Sequence, residues 1–302
     1  MRLPLGDYIE IAIEWLKENF DWLFSAIKIS LQNIVQFFER VYTVLPFYLM
    51  IIIFALIALR LAGYKVALFT VIGFLIIYFT ELFYPAMQTL AIITAATIIA
   101  VAIGIPLGIW CAKSKRANSA ITPILDFMQT MPSYVYLIPA VFFFGLREAS
   151  GTIATIIFAM PPIVRLTNLG IRQVPTEVVE AATAFGSTPM QKLFKVQLPL
   201  AMPSILAGLN QTIMLSLSMV VVAAMISVDG LGRIVFGSIG QMDIGLGFEG
   251  GLAVVIVAMF LDKVTQNIAN KKTGIPFWPN IKKIPSLFKR AKNTALSDKQ
   301  NG

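Results

Sequence analysis

The stretch LFYPAMQTLAIITAATIIAVAIGIPLGIWCA, Leu82–Ala112, contains no Asp, Glu, Lys or Arg. A helix needs ~20 mostly apolar residues to cross the hydrocarbon core of a bilayer, and this run is longer than that. Similar stretches lie on both sides of it. There is no charge between Arg40 and Arg60, and further charge-free runs cover Phe127–Leu146, Ala149–Val164 and Val196–Val228. The composition agrees: 57% of the 302 residues are hydrophobic and 13% charged, against roughly 25% charged in an average soluble domain. Length alone would suggest about two soluble domains; the charge pattern excludes them. The fold class is all-α integral membrane.

Seven spans are expected: Val44–Leu59, Val66–Leu82, Ala86–Trp110, Asp126–Leu146, Ala149–Val164, Pro203–Val228 and Gly250–Ile268. Pro132 and Pro139 should break or kink the fourth, and Pro161 and Pro162 should interrupt the fifth near its end. Asp262 and Lys263 in the seventh must snorkel or find partners. Asp7–Arg40 reads as one amphipathic helix, with Ile9, Ile13, Leu16, Phe20, Leu23, Ile27, Leu31, Ile34 and Phe38 recurring at steps of three and four. It carries too many charges to span, and Trp15 and Trp22 suit an interfacial position. Residues 1–40 are therefore expected to lie in the membrane surface or against other subunits. Met1–Glu39 is charged throughout and does not read as a signal peptide. Residues 271–302 form a basic tail suited to solvent or anionic headgroups.

Loop charges give the orientation. Alternate connections, counted from Arg60 and including the tail, hold 18 of the 24 basic residues. This places the N-terminus outside and the C-terminus in the cytoplasm, in a cell (plasma) membrane.

Several chemistries are excluded. There is no histidine, hence no Ser-His-Asp or Cys-His site and no His-liganded zinc. Cys111 is the single cysteine, so no internal disulfide or thiolate cluster can form. No G-x-x-x-x-G-K-[ST] phosphate loop is present. No catalytic residue, metal site or cofactor is assigned, and nothing points to nucleic acid.

The longest loop on the basic side, 174–199, reads VPTEVVEAATAFGSTPMQKLFKVQLP. Two short helices are expected. Thr176 can cap the first, which ends at Gly186, where a left-handed residue costs little. Thr188 can cap the second, with Pro189 at the first helical position and Gln191 completing a T-x-x-Q capping box. Pro199 should stop it before span six. Glu177 and Glu180 share one face, and Ala181 and Ala182 are small enough for close approach by another protein.

Glu180-Ala181-Ala182, then Gly186, then Val196-x-Leu198-Pro199 is similar to the E-A-A-x3-G-x9-I-x-L-P signature of ABC importer permeases; the single departure is Val196 for Ile. Residues 122–132, 194–201 and 210–221 resemble the glycine betaine/proline/choline-type osmoprotectant permeases. The resemblance runs over nearly the whole chain to Ile268. It implies a type I importer core of five helices within 85–270, preceded by two peripheral spans in 41–84. It also implies a coupling loop at 174–199 (Glu177, Glu180, Ala181, Ala182, Gly186, Val196, Leu198, Pro199) that docks on an ATPase subunit. The implied partners are two ATPase subunits, a second permease copy, a separate external substrate-binding protein and a small-molecule solute. ATP hydrolysis falls to the partner, not to this chain.

Candidate pathway residues rest on polarity alone. Asn210 and Ser218 can share a face of span six, and Asn168 lies just past span five; such groups mark a pathway or serve as interhelical hydrogen bonds. Tyr134, Tyr136 and Trp110 can attract a quaternary ammonium or belong to the interfacial belt or core. Alternatives remain: an ABC permease for another solute such as an amino acid, a stand-alone channel or ion-driven carrier, or a membrane enzyme. A carrier usually places ionisable groups at midplane, whereas spans three and six are uncharged; a membrane enzyme would need paired carboxylates or a His cluster. The topology is checked by labelling: Asn19→Cys should react with an impermeant thiol reagent on intact cells and Asn293→Cys should not. The reverse pattern overturns it.

Overall fold

The structure is a computed structural model and describes residues 5–272. Most of the basic tail therefore lies outside the described residues. Among those described there is no strand; the chain is a bundle of helices. They are α1 (Leu5–Thr43), α2 (Phe47–Ala62), α3 (Tyr64–Phe79), α4 (Phe83–Lys113), α5 (Lys115–Thr130) and α6 (Leu137–Phe144). After these come α7 (Glu148–Arg172), α8 (Thr176–Ala184), α9 (Pro189–Lys192), α10 (Leu198–Val222), α11 (Leu231–Gln241) and α12 (Ile244–Lys272).

Three helices form the centre: α4, α7 and α10. Lipid tails are as apolar as leucine, so helices in a bilayer associate through close contact rather than through expulsion of water. Small residues permit that contact here. A β-carbon on Gly104 would lie 2.4 Å from Ile163 Cγ2, and one on Gly108 would lie 2.6 Å from Thr167 Cβ. On the α7–α10 side, Gly170 meets Ser204 and Gly208 meets Ile163. The spacing Gly104-x-x-x-Gly108 puts both glycines on one face of α4, turned to α7.

The first two predicted spans are α2 and α3, joined through Gly63, whose φ is +90°. They pack on α12 through Phe54, Phe74 and Phe260, whose ring centroids are 5.1–5.5 Å apart. α1 is helical throughout, with a kink at Phe20. The second half of its stripe packs on the bundle: Leu31 is buried with Ala96, Ala100 and Ile156. Tyr42 Oη lies 3.0 Å from Thr94 Oγ1, and Phe24 stacks on Phe143 at 4.4 Å. Tyr8, Trp15 and Trp22 remain exposed.

Among the described residues, four helical runs are long and apolar enough to cross a membrane: 83–113, 148–172, 189–226 and 244–267. Two bent pairs bring the number to six if each is one span: 13–43 with 47–62, bent by 100°, and 115–130 with 133–144, bent by 110°. α3, at 16 residues, is a shorter apolar helix.

One expectation about prolines holds and two change. The fourth span is not one helix: Pro132 disfavours helical geometry at Met131, which is extended (φ −71°, ψ 137°), and ends α5. Pro139, in contrast, lies in the first turn of α6, where a missing donor costs little. Pro161 and Pro162 do not interrupt the fifth span. Both are buried inside α7, which continues to Arg172, because neighbouring helices hold a membrane helix whose ladder has lost donors. A further helix, α11, lies in residues 229–249, where only a loop is expected. Asp262 finds partners: it accepts from Asn210 Nδ2 at 3.2 Å and Gln266 Nε2 at 2.5 Å, with Lys263 Nζ at 3.7 Å.

The ends of the bundle differ. At one, α4 and α7 terminate and the 174–199 loop begins. At the other, Arg147 and Arg233 both pair with Asp229, and Glu39 accepts from Tyr84 Oη and Gln88 Nε2. Gly108→Val is expected to lower stability by about 1–3 kcal/mol through overpacking, because Val164 O also lies 2.7 Å from the new β-carbon. Thermal unfolding of the purified protein checks this; an unchanged midpoint would mean that α4 and α7 separate at no cost.

Candidate functional site: the loop between α7 and α10

Local rules build most of this loop. α8 ends at Gly186, with φ +75°. Its last carbonyls are closed by Gly186 N–H to Thr183 O at 2.9 Å and Ser187 N–H to Ala182 O at 3.0 Å, the paired bonds of a Schellman motif. No atom lies within 4 Å of a β-carbon on Gly186, so backbone conformation rather than space calls for glycine. The second arm starts in the expected capping box. Thr188 Oγ1 accepts from Gln191 N–H at 3.3 Å, Gln191 Oε1 accepts from Thr188 N–H at 2.9 Å, and Pro189 follows the cap. Lys192 Nζ donates to Thr183 Oγ1 at 3.0 Å and ties the two arms together.

Two expectations fail. Thr176 does not cap α8. Pro175 occupies the cap with ψ 133° and its carbonyl accepts the first helical bonds, so Thr176 is already the first helical residue. The acidic Glu177 in that first turn complements the helix dipole instead. Nor does Pro199 stop the second arm. α9 passes into a π-turn at Leu193–Gln197, closed by Leu198 N–H to Leu193 O, and Pro199 sits in the first turn of α10. Widening the helix to i→i+5 bonds just before the proline lets the chain continue through a residue that has no donor.

The loop is anchored at two points. Val174 and Leu193 are 7% and 3% exposed, and Leu193 packs with Ile163, Ile171, Ala201 and Ile205. Between the anchors α8 buries no residue. Glu177, Glu180 and Ala181 are exposed, Ala182 is half-buried, and Phe185 at 90% and Met190 at 63% are open. Val196, Leu198 and Pro199 are half-buried where the loop enters α10. The result is a shallow ridge, acidic and small-residue along α8 and apolar at its turn, held on a rigid root.

The candidate pathway residues do not converge on one pocket. Asn168 lies within α7, not past it. Its Nδ2 donates to Asn118 Oδ1 at 2.7 Å, and its Oδ1 accepts from Arg172 Nε at 2.8 Å. Asn210 turns to Asp262, with its own Oδ1 buried and unpaired. Ser218 is exposed and donates to Met214 O at 3.1 Å. Tyr134 is exposed; Tyr136 is buried and its hydroxyl bonds to Met128 O. Trp110 is exposed. Sequence reading missed Arg172, whose Nη2 donates to Cys111 O at 2.7 Å, and the buried pair Thr97–Ser216 at 3.5 Å. Thr212 and Ser216, one turn apart in an apolar helix, were the available signal for the second. Among the described residues no three His, Cys, Asp or Glu side chains gather as metal ligands.

Residues 104–270 match the family described as binding-protein-dependent transport system inner membrane component. The glycine betaine transport system permease protein OpuAB of Bacillus subtilis is 48% identical over 271 residues, 90% of this chain and 96% of that protein. The glycine betaine/proline betaine transport system permease protein ProW of Escherichia coli is 46% identical over 88% of this chain and 75% of that protein. The glycine betaine/carnitine transport permease protein GbuB of Listeria monocytogenes is 48% identical over 89% and 96%. Among solved structures, an inward-facing form of the MetNI methionine ABC transporter shares the fold at 20% identity. Its TM-score is 0.57, over 61% of this chain and 92% of that one. With a family match over more than half its length and relatives this similar along nearly all of it, the chain belongs to the inner-membrane components of binding-protein-dependent transport systems, as a multi-pass permease subunit.

Proposed function

We propose that this chain imports a compatible solute, glycine betaine or a related quaternary amine, and that residues 174–199 couple it to ATP hydrolysis on a partner. The solute rests on the names of the similar permeases. The coupling role rests on one observation above all. Between the two anchors the chain builds an exposed short helix, α8, whose small residues and fixed end are presented outward, braced by the single capped turn of α9. Glu177, Glu180, Ala181 and Ala182 form the docking face; Gly186 sets its angle; Val196, Leu198 and Pro199 join it to α10.

In this reading the loop faces the cytoplasm, the N-terminus is outside and the C-terminus inside, consistent with 18 of 24 basic residues on that side. Residues 85–270 are the transport core, 41–84 the peripheral pair and 1–40 an interfacial helix. Two ATPase subunits, a second copy of this chain and a separate external binding protein complete the complex, with lipid around it. Nucleotide shifts the balance between inward-open and outward-open states because it is bound with different affinity in each. The loop passes that difference to α7 and α10. Of the pathway candidates, Ser218 and Tyr134 are exposed and free to meet solute or the second copy. Asn168, Asn210 and Tyr136 are engaged within the chain and act as interhelical bonds.

Gly186→Asp is the direct test. A β-carbon at φ +75° costs about 1 kcal/mol of strain and should swing α8 off its partner. The reconstituted complex should insert normally and leave solute binding to the external protein intact. It should lose solute-stimulated ATP hydrolysis and transport. Ala182→Trp should do the same by preventing close approach, while Val196→Ile should be silent. Wild-type transport by inserted Gly186→Asp and Ala182→Trp would end the coupling proposal. Failure of glycine betaine to compete for uptake would end the solute assignment alone.

A further inference from the structure

α5 is held to the bundle by little apolar surface. Of its 16 residues only Ala117 and Leu125 are buried. Its start is fixed by Ser114, whose Oγ accepts the Ala117 N–H at 3.2 Å. Near its end Met128 O accepts from Tyr136 Oη, and its side-chain attachments to the bundle are polar and run to α7. Asn168 Nδ2 donates to Asn118 Oδ1 at 2.7 Å, and Arg165 is ion-paired with Asp126. Asn118 and Asp126 stand about two helical turns apart on α5. Asn168 is bonded in turn to Arg172, the last residue of α7, and Arg172 reaches the carbonyl of Cys111 in the last turn of α4. α4, α5 and α7 thus meet in one hydrogen-bonded knot, two residues before Val174, the first anchor of the loop.

We infer that α5 is a transmission strap: movement of the loop enters at Arg172 and is carried by the Asn118–Asn168 and Asp126–Arg165 links along α5 to the break at Met131–Pro132. The inference rests on the coupling role proposed for the loop. Loop movement reaches α7 and α10 through continuous chain. It reaches α5 through side chains, and a helix with two buried residues has almost no packed interface to drag it along. The links are suited to the task. A charge-assisted bond is directional, so α5 must follow α7 or lose it. Arg165 and Asp126 are also partly exposed, at 39% and 57% of their side chains, so solvent screening leaves the pair little weight in overall stability. Their loss should therefore spare folding and change what α5 follows. The far end is a hinge: an extended Met131 and Pro132 turn the chain by 110° into α6, the kind of short element boundary that absorbs a rotation.

The test uses the complete complex in proteoliposomes, with its ATPase and external binding protein, and reads solute imported per ATP hydrolysed. Asp126→Arg and Arg165→Asp should each lower that ratio about tenfold, within the usual span of coupling effects. The thermal midpoint and basal ATP hydrolysis should stay near wild type. The double variant Asp126→Arg with Arg165→Asp restores the pair in reverse and should recover most of the ratio. Asp126→Asn, a gentler change, should lower it in the same direction and serves if a reversed charge impairs assembly. Wild-type ratios in the single variants, or a double variant as uncoupled as either single, overturn the strap. Gly186→Asp is run alongside. If it is uncoupled while the α5 variants are not, the strap falls and the coupling loop stands. If it transports normally, the coupling loop falls and the strap with it.

Discussion

The structure depends on the close approach of α4, α7 and α10. In a bilayer these helices gain nothing by hiding apolar side chains from each other rather than from lipid. What holds them is contact, and contact needs backbones near enough for many atoms to touch at once. Gly104 and Gly108 on α4 and Gly170 on α7 supply that proximity, each with a neighbouring atom where a β-carbon would clash, and Gly208 on α10 adds a tight contact with Leu166 and Ile163. Once the three axes are fixed, so are the positions of their ends. The loop begins and ends on α7 and α10, and its two anchors, Val174 and Leu193, are buried because those helices are already in place.

The bundle's ends are fastened differently from its middle. The centre is mostly apolar, with a few hydroxyls and the Asn210–Asp262 pair between α10 and α12; both ends are joined by charged or amide groups. Arg172, Asn168 and Asn118 close the loop end. Asp229, with Arg147 and Arg233, closes the other. There the Arg147 backbone has φ 87° and ψ −147°, a region that suits glycine, and its N–H donates to Ile226 O at 3.2 Å. Groups that need hydrogen bonds sit where other polar groups can be reached, and the rest of the span interiors is left to packing.

The places where a proline is expected to break a helix, and does not, share one cause. Pro161, Pro162 and Pro199 each forbid a hydrogen bond, and taken alone each predicts a break. Inside α7 the neighbours on both sides hold the helix through the gap. Before Pro199 a π-turn absorbs it. Pro132 behaves as predicted because α5 has too little packing around it to override the local preference of Met131. Thr176 failed for a smaller reason: Pro175 took the cap one residue earlier.

The sequence by itself determined the membrane class, the helical content and the form of the loop. These rest on charge-free length, on glycine at a positive-φ position and on a capping box, all set within a few residues of each other. The α5–α6 break was half-legible, in Pro132 but not in its 110° angle. The tertiary structure alone decided which polar residues meet. Asn168 pairs with Asn118 across 50 positions, Arg172 with the Cys111 carbonyl across 61, and Asn210 with Asp262 across 52. An amide in a membrane helix must find some partner, but periodicity fixes only the face it occupies. The partner is fixed by which helix packs there, and that follows from the glycine contacts between chain segments far apart in sequence.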